Sequence, residues 1–110
     1  VLDEDEKRAG HRALVDRVLN GEGSASAEER ARAFAGDGLS PPLDVLIGKV
    51  VDRPAQVTEA DLAAAKASGC TEGQLFELVV CAAVGRSARL YEAGLAALAE
   101  AIEGRQDHAT

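Results

Sequence analysis

The chain has 110 residues, enough for a single domain, and its 12 Lys and Arg against 19 Asp and Glu leave a formal charge of −7. That balance excludes nucleic-acid binding by phosphate neutralisation and disfavours an anionic membrane surface, and no apolar run approaches the length of a bilayer span. The opening Val-Leu-Asp-Glu-Asp-Glu-Lys-Arg lacks the apolar stretch of a signal peptide, and Cys70 and Cys81 are too few for a disulfide scaffold, so a cytoplasmic protein is expected.

Ala is the commonest residue, and the aromatic residues are only Phe34, Phe76 and Tyr91. Ala and Leu favour helix, and an Ala-rich interior contributes little burial per residue, which predicts an all-α subunit completed by other copies in a homo-oligomer. Residues 1–9 are charged and have little periodicity, as in a frayed start or the solvated first turn of a helix. Leu14, Val15, Val18 and Leu19 form a narrow helical stripe between Gly10 and Asn20, closed by Asn20-Gly21-Glu22-Gly23-Ser24. Ser26 and Glu29 have the spacing of a capping box, opening a helix through Ala35 that buries Ala27, Ala31, Phe34 and Ala35 and stops at Gly36-Asp37-Gly38.

Ser40-Pro41 supplies an N-cap and a first-turn proline for a helix whose Leu43, Leu46, Ile47 and Val50 share one face. Asp52-Arg53-Pro54 ends it. Thr58 and Asp61 form an acidic capping box for a helix to about Ser68, with Gly69 in the left-handed position beyond it. Thr71 and Gln74 open the last helix, which runs from Glu72 to Glu103 with a kink or a close crossing at Gly85 or Gly94; the polar residues 104–110 are expected to be loose. The count is five or six helices and no strand, in one domain spanning residues 1–110.

The last helix is apolar on nearly all sides from Leu75 to Val84, so it is expected at the centre of the bundle or in a subunit interface. Glu77 is the exception, one turn before Cys81 on a stripe that continues through Val84, Ala88, Tyr91, Leu95 and Ile102. Arg89, Glu92, Glu100 and Glu103 gather on another face, solvated or intersubunit. A carboxylate in apolar surroundings is either a proton donor or acceptor with a raised pKa or one half of an ion pair, and the preferred partners are Arg86 and Arg89. Cys81 and Tyr91 are the other candidates for a catalytic centre, although a small hydrophobe and a core ring are the simpler readings. Cys70, just past Gly69 and near a helix N-terminus that favours a thiolate, is the candidate for oxidation. Arg86 and Arg89 are the candidates for binding an anionic ligand. His11 and His108 lie near the two ends, no set of ligands converges on a metal, and Gly21-x-Gly23 follows no strand, so neither a metal nor a cofactor is expected.

The segment from Val57 to Gly85, containing Val57-Thr58, Gly69 and Phe76-Glu-Leu-Val-Val-Cys-Ala-Ala-Val-Gly85, with its continuation Arg89-Leu-Tyr-Glu-Ala-Gly-Leu-Ala-Ala-Leu98, resembles small members of the AhpD-like, carboxymuconolactone decarboxylase superfamily. The likeness covers about Leu39 to Leu98, leaving residues 1–38 as an N-terminal extension. It implies an AhpD-like helical bundle assembled into trimers, hexamers or related oligomers. The peroxidases of that family carry a Cys-x-x-Cys pair followed by a His. Here Cys70 and Cys81 stand eleven residues apart and no His follows nearby, which removes the dithiol chemistry; the His-containing decarboxylase site has no counterpart either. Three functions remain: a non-catalytic accessory or binding subunit, an enzyme with a non-standard site around Glu77, and a redox-responsive protein acting through Cys70. A protein partner is compatible with the first.

Overall fold

The computed structural model describes the backbone of residues 4–109 and the side chains of residues 5–105. It contains five α-helices: α1 Glu4–Asn20, α2 Ala27–Ala35, α3 Leu43–Asp52, α4 Glu59–Ala67 and α5 Glu72–Ala109. A 3-10 turn, Pro54–Gln56, joins α3 to α4, and no strand occurs among the described residues, so the fold is all-α.

The caps explain most of the boundaries. The Ser26 hydroxyl accepts from Glu29 N at 3.0 Å, and α2 closes on Gly36 at φ 75°, a left-handed position open to glycine. Thr58 and Asp61 exchange both bonds of a capping box, at 3.2 and 2.9 Å. Thr71 and Gln74 do the same for α5, at 3.1 and 3.0 Å. Gly69 takes φ 100° beyond α4.

Helix α1 starts at Glu4, so the charged residues from Glu4 on are the solvated start of the helix rather than a frayed end, and the acidic Glu4, Asp5 and Glu6 suit the positive end of the helix dipole. Two other boundaries differ from the sequence reading. Helix α3 starts at Leu43: Ser40 receives Leu43 N on its carbonyl at 2.9 Å instead of capping with its hydroxyl, and the two prolines, which lack N–H groups, form the turn before it. Helix α5 continues through the expected loose tail to Ala109. The expectations for Val1 to Asp3 and for the His108 side chain lie outside the described residues.

The core consists of Ala25, Ala33, Leu43, Leu46, Ile47, Ala65, Leu75, Leu78, Cys81 and Ala82. Its axis is the first half of α5, with α1, α2 and α3 packed around it and α4 held outside α3 by a Lys49–Asp61 ion pair at 2.9 Å. The α3 stripe points inward as its periodicity predicts. On α2 the buried residue is Ala33, with Phe34 half-buried, whereas Ala27, Ala31 and Ala35 are exposed. The reason is the crossing with α5. At Gly85 a Cβ would collide with the carbonyl carbon and oxygen of Phe34, so the two backbones touch there and set the rotation of α2. Gly94 has open space around it, so Gly85 marks the crossing. The Phe34 carbonyl, a leftover acceptor at the end of α2, receives Arg89 Nη1 at 2.5 Å.

The expectation that residues 75–84 are covered on all sides does not hold within one chain. Leu75, Leu78, Cys81 and Ala82 are buried, but Phe76 is 69% exposed and Ala83 is also exposed. The radius of gyration is 17.6 Å, against about 13 Å for a compact globule of this length. The cause is α5, whose 38 residues span about 57 Å of a molecule 62 Å long.

Candidate functional site

Glu77 and Cys81 sit one turn apart on α5, Glu77 facing the loop between α1 and α2 and Cys81 the last turn of α1. The Glu77 carboxylate accepts Ser24 N at 2.8 Å and Ala25 N at 2.6 Å. Gly23 makes room for it: a Cβ there would lie 2.7 Å from Oε1. The Ala25 and Ser24 amides hold the Glu77 carboxyl below the usual glutamate range, outweighing partial burial, and Arg30 adds a weaker attraction. This overturns the expected partners. Arg86 pairs with Asp52 instead, and Arg89 with the Phe34 carbonyl, because the crossing at Gly85 directs both arginines toward α3 and the end of α2. It also reverses the raised pKa that an acid in apolar surroundings would have.

Cys81 is buried and donates its thiol to Val18 O at 3.4 Å. Burial pushes its pKa up first, with Arg30 opposing and Glu77 adding to the shift. At neutral pH the pair therefore consists of a carboxylate and a protonated thiol, each held by its own backbone partner. Arg30 was not visible in the sequence as a site residue. Its Nη1 donates to Gly21 O at 2.6 Å and its buried Nε has no partner, so it staples the loop on which Glu77 acts. No spacing in the sequence links position 30 to position 77; only the packing of α2 along α5 does.

The other candidates lie elsewhere. Tyr91 is 42% exposed rather than in the core, its ring centroid 5.9 Å from that of His11. It borders a groove of about 600 Å³ between α1 and α5, lined also by Lys7, Arg8, Arg12, Ser87, Glu92 and Leu95. Cys70 is half-buried before α5, and burial, followed by the Glu29 carboxylate, raises its pKa. Its surroundings therefore weigh against the thiolate that the helix N-terminus was expected to favour.

Arg86 and Arg89 do share a site. They line a cleft of about 550 Å³ between α3, α5 and the Gly36–Pro41 connection. Leu39, Ile47, Val51 and Ala82 supply its apolar wall, and Asp37, Asp44 and Asp52 also line it, Asp52 in an ion pair with Arg86. No group of three or more His, Cys, Asp or Glu suited to a metal occurs among the described residues. No helix among them is long and apolar enough to cross a membrane. No family model, curated protein or solved structure matches the chain.

Proposed function

We propose that the chain is a non-catalytic, oligomer-forming helical subunit of the AhpD-like kind, which binds a small ligand in the cleft between α3 and α5. One observation carries this reading. Glu77 and Cys81, the residues around which a reaction would be built, are committed to the Ser24 and Ala25 amides and to the Val18 carbonyl, and so fasten the α1–α2 loop and the last turn of α1 respectively. Neither is presented to the cleft.

The cleft favours a particular ligand chemistry. Arg86 and Arg89 offer guanidinium donors beyond those used on Asp52 and Phe34, and each guanidinium has five N–H groups. Three carboxylates in the same lining, Asp37, Asp44 and Asp52, keep it from being positive overall. A small molecule with both an acidic group and hydrogen-bond donors suits this lining better than a simple anion does.

Peroxide turnover with dithiol reductants tests the non-catalytic half. We expect none above the uncatalysed rate, because no resolving thiol stands beside an attacking one. Turnover that is abolished by Cys81→Ser would overturn this reading and turn attention to Glu77 as a reacting group.

A further inference from the structure

Around the axis of α5, α1 packs on the side of Cys81, Tyr91 and Leu95, α2 on the side of Gly85 and Arg89, and α3 on the side of Ala82 and Arg86. At 100° per residue, one sector remains outside these packed faces, reached only at Ser87 by the edge of the α1 groove. It contains Phe76, Val80, Ala83, Ser87, Leu90, Gly94, Ala97 and Ala101, separated by alternating steps of four and three residues. That spacing is the seam of a coiled coil, and no charge interrupts it. The seam is open: Phe76 is 69% exposed and Leu90 61%. Beside its far end Leu98 is 58% exposed, and no residue from 96 to 105 is buried. In this half of α5 the charged Arg89, Glu92, Glu100 and Glu103 lie on the side that continues the buried face of the first half. The apolar face has thus turned away from the chain's own body.

We infer that a second copy of this chain covers the seam, with its α5 antiparallel to the first about a twofold axis between Ser87 and Leu90. The seam is complementary to itself in that arrangement. Phe76 meets Ala101 of the other copy, Val80 meets Ala97, Leu90 meets Ser87, and the small Ala83 and Gly94 meet each other where the helices come closest. Every large side chain faces a small one, as interdigitation requires. Just beyond the seam on either side stand Glu72, whose carboxylate also pairs with Lys66 of its own subunit, and Arg105, which the same register brings together as opposite charges. A parallel pairing would instead set Phe76 against Phe76, Glu72 against Glu72 and Arg105 against Arg105. The twofold contact buries the same patch on both subunits, so it closes without leaving a seam open.

This inference rests on the assembly half of the proposed function and is independent of the cleft. Sedimentation equilibrium of the full chain, Leu90→Glu and Arg105→Glu tests it, with Cys70→Ser carriers of Phe76→Cys and Ala101→Cys mixed under oxidising conditions. We expect a dimer or a larger assembly for the wild type. For Leu90→Glu we expect dissociation constants raised about a hundredfold or more with an unchanged helical spectrum, since the substituted residue is exposed in the subunit. Arg105→Glu should weaken association several-fold, and Glu72→Arg should restore it. In the mixture, 76–101 cross-links should dominate over 76–76 and 101–101. An oligomeric wild type whose mass is indifferent to Leu90→Glu, or whose cross-links are of the like kind, overturns this seam and leaves assembly through another surface. A wild type that stays monomeric overturns both the seam and the assembly half of the proposed function.

Discussion

Glu77 illustrates how a residue marked as unusual by its neighbours turns out to have an ordinary structural cause. Two amides that would otherwise be unsatisfied at the entry to α2 need an acceptor, and a carboxylate reaching over the side-chain-free Gly23 supplies it. Because its pKa in the folded chain is lowered, the stability it contributes is complete above the unfolded value, in the ordinary carboxylate range near pH 4 to 4.5, and is lost as pH falls through the lowered one. Glu77→Gln keeps one acceptor and turns an NH₂ toward an amide. It should cost about 1 kcal/mol at pH 7, the lower end for a charged acceptor because the site is partly open to water. The difference from wild type should shrink as pH falls through the lowered pKa of Glu77; urea midpoints at pH 7 and at successively lower pH measure it. Combined with Arg86→Gln, the effects should add to within about 0.5 kcal/mol, since Asp52 and not Glu77 holds that arginine. A larger coupling would restore the pairing that the sequence suggested.

Among the elements, α5 sets the positions of the others, and one glycine decides how closely α2 approaches it. Gly85→Ala places a methyl group against the Phe34 backbone, which cannot rotate away as a side chain can, so α2 must lift off. We expect a loss of about 2–3 kcal/mol or more, with the Arg89 bond to Phe34 strained in the same movement. Gly10 provides the contrast. It lies within α1 with nothing within 4 Å of a Cβ, so Gly10→Ala should stabilise by about 0.5–1 kcal/mol through the helix propensity of alanine. Thermal melts of the two variants should therefore move in opposite directions; equal shifts would refute the crossing at Gly85. The α4 box offers a smaller test. Thr58→Ala removes one bond of the reciprocal cap and should cost about 1 kcal/mol, read as a lowered urea midpoint.

On the scale of the whole molecule, a short core and a long helix give a subunit that covers only part of its apolar surface. The fully buried large side chains are Leu46, Leu78 and Cys81, a small set for a chain of this length. If copies complete one another along α5, folding is linked to association, and the melting temperature must rise with protein concentration. We expect a rise of several degrees over a hundredfold range for the wild type and none for Leu90→Glu. A flat wild-type curve would show a self-sufficient monomer.

The class of the fold and most of the helix boundaries were legible in the residue order, because caps and periodicity act through groups three or four residues apart. The reciprocal caps of Thr58 with Asp61 and Thr71 with Gln74 could be read directly, as could the inward face of α3; of the Ser26–Glu29 box only the Ser26 half forms, the Glu29 carboxylate meeting the Ser26 hydroxyl instead of its N–H. The residue order also marked Glu77, Cys81, Arg86 and Arg89 as worth following. The partners of those residues were decided only by the tertiary structure. Glu77 reaches residues more than fifty positions away, Arg89 reaches Phe34, and Cys81 reaches Val18, and each distance depends on how three helices rotate about α5. The sequence narrowed that rotation to two glycines, and the packing chose between them. At Gly85 the missing side chain lets two backbones meet, whereas Gly94 faces open space, a difference that exists only once α2 has been laid against α5.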